Sequence, residues 1–159
     1  MGLLRSSAVL GVVTLALTSC APDVLACTEI GAQQGLSFTV AGGPAAVADS
    51  LGVSVCTDDG CSAADVALHP GSTTTSETCT PDGVCSARST PDGTLTGFAT
   101  LALSEEEVDA EVTLRRVDGT TAVHTARVVP AVVYPNGRHC GGEAVQGSLV
   151  LDDSGLRAG

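Results

Sequence analysis

The chain predicts an all-β fold: an Ig-like or Greek-key β-sandwich of about seven to eight strands stapled by disulfides, with a small β-barrel as the alternative. Three observations carry this. From Cys27 onward, apolar residues recur at every second position in short runs, which is the strand period. Clusters of Gly, Pro, Asp, Ser and Thr separate the runs, and these residues favour turns. Two pairs of cysteines also flank Asp-Gly turns, where a tight reversal brings facing β-carbons together.

Leu36, Phe38 and Val40 alternate as a first strand, and Gly42-Gly43-Pro44 ends it. Val53 and Val55 alternate up to Cys56. Val66 and Leu68 come after the next turn, and His69-Pro70-Gly71 closes that run. Residues 71–94 are rich in Thr, Ser, Gly and Pro and read as long loops with one short hairpin. Leu95, Ala99, Leu101 and Leu103 mark a central strand. The one helical turn expected is Ser104-Glu105-Glu106-Glu107, where Ser104 and Glu107 have capping-box spacing. Val112 and Leu114 begin a strand that Asp118-Gly119 turns into residues 120–129. Pro130 and Pro135 relegate the segment after residue 129 to an edge strand or an extended stretch. Val145, Gly147, Leu149 and Leu151 alternate in the last strand.

An internal echo organises the cysteines. Cys56-Thr57-Asp58-Asp59-Gly60-Cys61 is matched by Cys79-Thr80-Pro81-Asp82-Gly83-Val84-Cys85, and Thr90-Pro91-Asp92-Gly93-Thr94 is a third copy without cysteines. The turns favour local bridges Cys56–Cys61 and Cys79–Cys85, leaving Cys27 for Cys140 by elimination. A crossed set, Cys56–Cys85 with Cys61–Cys79, would instead zip neighbouring hairpins and stays open at this point.

The seventh cysteine, Cys20, has a different expected role. Residues 1–19 hold one charge, Arg5, then the ten-residue apolar run Ala8 to Leu17. That run is too short to cross a bilayer core, which needs about twenty residues, but suits a signal-peptide core. Leu17-Thr18-Ser19-Cys20 has the form of a bacterial lipobox, in which a diacylglyceryl group is placed on Cys20 and cleavage falls before it. Residues 1–19 are then the signal peptide, 20–26 the lipidated cysteine and a short tether, and 27–159 the domain. Cleavage after Ala26 is the rival for plain secretion. Lipidation also resolves the odd cysteine count, since six thiols remain to pair.

Net charge is −11, becoming −12 once Arg5 leaves with the signal peptide, and every cation is arginine. Such a surface argues against nucleic acid, whose phosphates need cationic partners. It also disfavours docking on anionic lipid. Phe38, Phe98 and Tyr134 are the whole aromatic set, which lowers the case for stacking platforms and aromatic hot spots.

Candidate chemistry is sparse. Four cysteines at C-x4-C and C-x5-C spacing have zinc-ligand character, but an exported chain oxidises its thiols, so disulfides are expected and no metal or other cofactor. Asp58, Asp59, Asp82, Asp92 and the run Glu105 to Glu111 offer oxygen atoms to calcium without the spacing of an EF-hand loop. His69, His124 and His139 have no recognisable Ser or Cys partner, and Val123-His124-Thr125 places His124 on a solvent face. The Gly-Gly pairs at 42–43 and 141–142 lack the strand-to-helix context of a phosphate loop. The chain therefore reads as a non-enzyme.

Cys27-Thr28-Glu29-Ile30-Gly31 and Tyr134-Pro135-Asn136-Gly137 with Cys140 resemble segments of small uncharacterised actinobacterial lipoproteins. The resemblance implies a β-sandwich whose early and late cysteines are bridged, Cys27 to Cys140, and it transfers no catalytic residue. The function expected is a lipid-anchored extracytoplasmic binding module for an envelope protein or a small ligand. It would sit on the cell membrane, or on the outer membrane of a Gram-negative host. A structural envelope component without a specific ligand is the alternative. Binding loops are expected within residues 63–94 and 135–143, because rigid strands present variable loops.

Overall fold

The computed structural model describes residues 27–57 and 60–159. The expected signal peptide 1–19 with Leu17, Thr18 and Ser19, the lipidation site Cys20, the tether 21–26, and Asp58 and Asp59 lie outside the described residues.

Among the described residues, ten strands and one short helix occur in order: β1 (Gly35–Val40), α1 (Gly42–Val47), β2 (Ala48–Thr57), β3 (Gly60–Ala67), β4 (His69–Cys79), β5 (Cys85–Thr100), β6 (Val108–Arg116), β7 (Thr121–Val128), β8 (Ala131–Val133), β9 (Ala144–Asp152) and β10 (Gly155–Ala158). They form two sheets. One has the order β10-β9-β1-β5-β4, with β8 also paired to β9, and the other the order β3-β2-β6-β7. β1 runs parallel to β9 and antiparallel to β5.

The period-two pattern explains which side chains meet. Leu36, Phe38 and Val40 of β1 share a face with Leu149 and Leu151 of β9, while Leu51, Val53 and Val55 of β2 share theirs with Val112 and Leu114 of β6. These residues form one continuous apolar cluster to which both sheets contribute. Each fully buried Leu contributes roughly 1.5–3 kcal/mol. With no Trp and one buried Phe, the core gains little from aromatic area, so close approach of the sheets matters more.

Two glycines permit that approach. A β-carbon on Gly97 of β5 would lie 2.5 Å from Val66 Cγ1 and 2.9 Å from the Ala67 carbonyl oxygen, both on β3. One on Gly147 of β9 would lie 2.7 Å from Leu36 Cδ2 and 3.0 Å from Val128 Cγ2.

The two local bridges and the long-range one are all formed. Cys27–Cys140, Cys56–Cys61 and Cys79–Cys85 have Cα separations of 5.3, 4.0 and 4.0 Å. The crossed set is thereby excluded.

The structure corrects several expectations. Residues 71–94 are not long loops. Most of them belong to β4 and β5, which pair along their length, and His69-Pro70-Gly71 opens β4 rather than closing β3. Threonine is a good strand former, so a Thr-rich stretch held between a sheet and a disulfide forms a ribbon. Ser104-Glu105-Glu106-Glu107 is not a helical turn, although the Glu106 amide donates to Ser104 Oγ at 3.4 Å. Leu101 and Leu103 just before it are both buried, which keeps the backbone extended and leaves too few residues to nucleate a helix. Both leucines lie beyond the end of β5, outside the strand expected for them. The helix is α1 instead, built on Gly42-Gly43-Pro44. β10 carries only a brief alternation and had no counterpart among the expected strands.

Candidate functional site

The two loop regions singled out from sequence lie at opposite ends of the domain. The register establishes this. Gly35, at the start of β1, pairs with Gln146 and Thr100, while Val40, at its end, pairs with Leu151 and Leu95. The start of β1 is where the chain enters the domain, beside residues 135–143. β5 runs antiparallel, so its residues 85–94 continue past the far end of β1.

At the entry end, the segments that carried the lipoprotein resemblance are joined to each other. Besides the Cys27–Cys140 bridge, the Ala32 amide donates to the Gly142 carbonyl at 2.8 Å. Asn136 Nδ2 donates to the Ile30 carbonyl, and Thr28 Oγ1 donates to Asn136 Oδ1. Gln146 Nε2 donates to the Gln33 carbonyl at 2.6 Å. Arg138 stacks 4.6 Å from the centroid of the Tyr134 ring. An open cleft of about 600 Å³ lies alongside, lined by Phe98, Val133, Tyr134, Pro135 and Gln146. Two of the three aromatic side chains, Phe98 and Tyr134, thus line one cleft.

At the other end, β4 and β5 leave the sheet together as a two-stranded arm. Residues 72–93 are exposed throughout. Cys79–Cys85 staples the tip, where the Thr80 amide donates to the Val84 carbonyl at 2.8 Å. At the base, Asp92-Gly93-Thr94 bulges out of β5. Asp92 Oδ1 accepts the Thr94 amide at 3.0 Å and its hydroxyl at 2.7 Å. Gly71 is buried against this bulge; a β-carbon there would lie 2.1 Å from Thr94 Oγ1. From Thr100 to Cys85 the strand spans at most about 50 Å at roughly 3.3 Å per residue.

The same Asx arrangement recurs. Asp118 Oδ1 accepts the hydroxyl and amide of Thr120, and Asp152 Oδ1 those of Ser154. In each case the neighbouring hydroxyl, then the amide, holds the carboxyl below its usual range.

The candidate chemistry does not assemble. His69, His124 and His139 lie on β4, on β7 and in the entry-end loop. His124 is half-buried rather than solvent-facing, because the Asp118-Gly119 turn pairs it with Val112 of the core face. It lines a groove of about 460 Å³ with Arg116, Asp152 and Asp153. Those groups are already engaged. Arg116 donates to Thr120 Oγ1 at 3.2 Å, and Asp152 pairs with Arg157 at 2.7 Å. Asp153 Oδ1 accepts the Gly43 amide at 3.0 Å. Gly42 and Gly43 do open a helix just after a strand, contrary to expectation, but this carboxylate occupies the helix start.

Among the described residues, Glu77, Cys79 and Cys85 are the one group with ligand atoms clustered closely enough for a metal, and both of its sulfurs are in a disulfide. Asp82, Asp92 and the run from Glu105 are spread over separate turns and do not converge.

No family model, curated protein or solved structure matches the chain. The molecule is a disulfide-rich all-β protein. The arm falls within a region expected to carry binding loops and one short hairpin, and that hairpin is much longer than expected; the Thr and Ser enrichment on both sides of a stapled turn is the signal for its length.

Proposed function

We propose that the protein is a bacterial lipoprotein held on the extracytoplasmic side of a membrane by a diacylglyceryl group on Cys20. Its domain serves as a non-enzymatic interaction module that presents the arm outward to an envelope partner. One observation carries the reading: the chain enters at the Cys27–Cys140 end and the arm leaves from the opposite end. A tether of six residues, 21–26, reaches roughly 20 Å when extended, which keeps the entry end near the bilayer. The stapled tip then points away from it. The net charge of −12 after cleavage opposes the body settling on anionic lipid, so anchor and charge act together to hold the arm in the open.

Two measurements test this. The membrane-extracted protein should have the mass of residues 20–159 plus a diacylglyceryl group, less the hydrogens lost in three disulfides. An unlipidated chain beginning at Cys27 would refute the anchor. The full chain should also bind isolated envelopes saturably, and a variant with residues 74–89 replaced by Asn-Gly should not. Equal binding by both would refute the arm as the interaction element. An enzymatic activity abolished by His124→Ala or His139→Ala would refute the non-enzymatic reading.

A further inference from the structure

We propose that the outer edge of β5 over residues 85–90 receives an extended peptide of the partner as an added strand, with a partner carboxylate on Arg88. This rests on the interaction reading above and names its chemistry.

The register identifies the edge. Cys79 and Cys85 face each other with Cα atoms 4.0 Å apart, which marks a non-hydrogen-bonded pair. The N–H and C=O of Cys85 therefore point away from β4, and strand alternation sends those of Ala87 and Ser89 the same way. Ser86 and Arg88 face β4; Thr75 Oγ1 donates to the Arg88 carbonyl at 3.5 Å. β1 covers β5 over residues 95–100 alone, so among the described residues no strand pairs with the outward groups of 85–90.

Both limits of this slot are built in. Pro91 falls in the same phase as Cys85, Ala87 and Ser89, so its missing N–H ends the donor row, and the Asp92-Gly93-Thr94 bulge separates the slot from β1. At the other limit, the disulfide fixes the two strands at the tip. The outer edge of β4 is a poorer receptor, because its pairing to β5 is irregular at Gly71 and Thr75 and it contains Pro70. An isolated two-stranded ribbon is marginal in water, and a third strand relieves that. The arm offers few apolar side chains, so main-chain hydrogen bonds must supply most of the affinity, as in strand addition generally.

Charge selects the partner. Among the described arginines, Arg115, Arg127 and Arg157 are in ion pairs, Arg116 bonds Thr120, and Arg138 stacks on Tyr134. Arg88, midway along the slot, is exposed and has none of these. In so acidic a protein a free arginine beside a strand edge fits a carboxylate on the incoming chain.

The test uses the full chain in detergent micelles and a blocked hexapeptide, Thr-Val-Glu-Val-Thr-Val, with a second peptide carrying lysine in place of glutamate. Hydrogen exchange monitored by NMR should show the amides of Cys85, Ala87 and Ser89 slowing on addition of the first peptide, with Ser86 and Arg88 little changed. Ala87→Pro, which removes an outward N–H, should abolish the effect. Arg88→Ala and the lysine peptide should each weaken it roughly two- to fivefold, the range of an exposed ion pair. Absence of protection, protection on β4, or indifference to both Arg88→Ala and the lysine peptide would overturn the proposal. Lipidation and envelope binding are read independently, so the proposal can fail while the interaction reading stands.

Discussion

Gly97→Ala perturbs the packing between the two sheets directly. The added methyl would lie 2.5 Å from Val66 Cγ1 and 2.9 Å from the Ala67 carbonyl oxygen. Val66 is 1% exposed, and the carbonyl belongs to the backbone of β3. The substitution must therefore push the two sheets apart at this flank. Overpacking of this kind costs about 1–3 kcal/mol. Loss of unfolded-state freedom offsets about 0.4–1 kcal/mol. The net expectation is a destabilisation of about 1–2 kcal/mol, read as a lower urea midpoint at unchanged slope with the disulfides intact. Gly31→Ala serves as the control, because nothing lies within 4 Å of its β-carbon, and it should stay within about 0.5 kcal/mol. The origin of the loss is checked with Val66→Ala. Alone it should cost about 2 kcal/mol, from two methylene-sized losses of about 0.8 kcal/mol each and the cavity left behind. Together with Gly97→Ala it should cost less than the sum by about 1 kcal/mol or more, since the smaller side chain makes room. Additive behaviour, or a neutral Gly97→Ala, would refute the claim that close approach of β3 and β5 is set by the missing side chain.

The staples, the turns and the arm each give a further expectation. Replacing Cys27 and Cys140 by alanine should cost about 4–5 kcal/mol on the chain-entropy model, against about 2 for Cys56 and Cys61, because the first closes a separation of 113 residues and the second one of 5. Urea unfolding of the two variants decides, and equal losses would contradict that model. The carboxyls of Asp92, Asp118 and Asp152 have folded pKa values below the usual 3.8, so their contribution is present above that pH and disappears as pH falls through the lowered values. The triple Asp→Asn variant keeps an acceptor without a titration, and its urea midpoint should change less between pH 6 and pH 3 than that of the parent. Replacing residues 74–89 by Asn-Gly should leave stability within about 1 kcal/mol, since those residues are exposed and serve the arm alone. A larger loss in thermal unfolding would show that the arm supports the core.

Much of this architecture is written locally. The alternations at Leu36 to Val40, Val53 to Val55 and Leu149 to Leu151 determine strand and buried face together, because a side-chain period of two leaves one assignment that buries the apolar set. Cys56 and Cys61, like Cys79 and Cys85, are close in sequence across a reversal, so their pairing results from the turn. Tertiary structure decided what local chemistry left degenerate. Asp-Gly at 82–83 and 118–119 reverses the chain, whereas the same dipeptide at 92–93 is a bulge inside β5, because pairing with β4 on one side and β1 on the other holds the strand in line. His124 faces inward because Val112 stands opposite it, a partner its own neighbours do not reveal. The acidic turn after Ser104 lost its helix to the burial of Leu101 and Leu103. The direction of the arm, away from the Cys27 end, exists only once β1, β5 and β9 are placed side by side, since an end of a sheet is a property of several strands and of no single one.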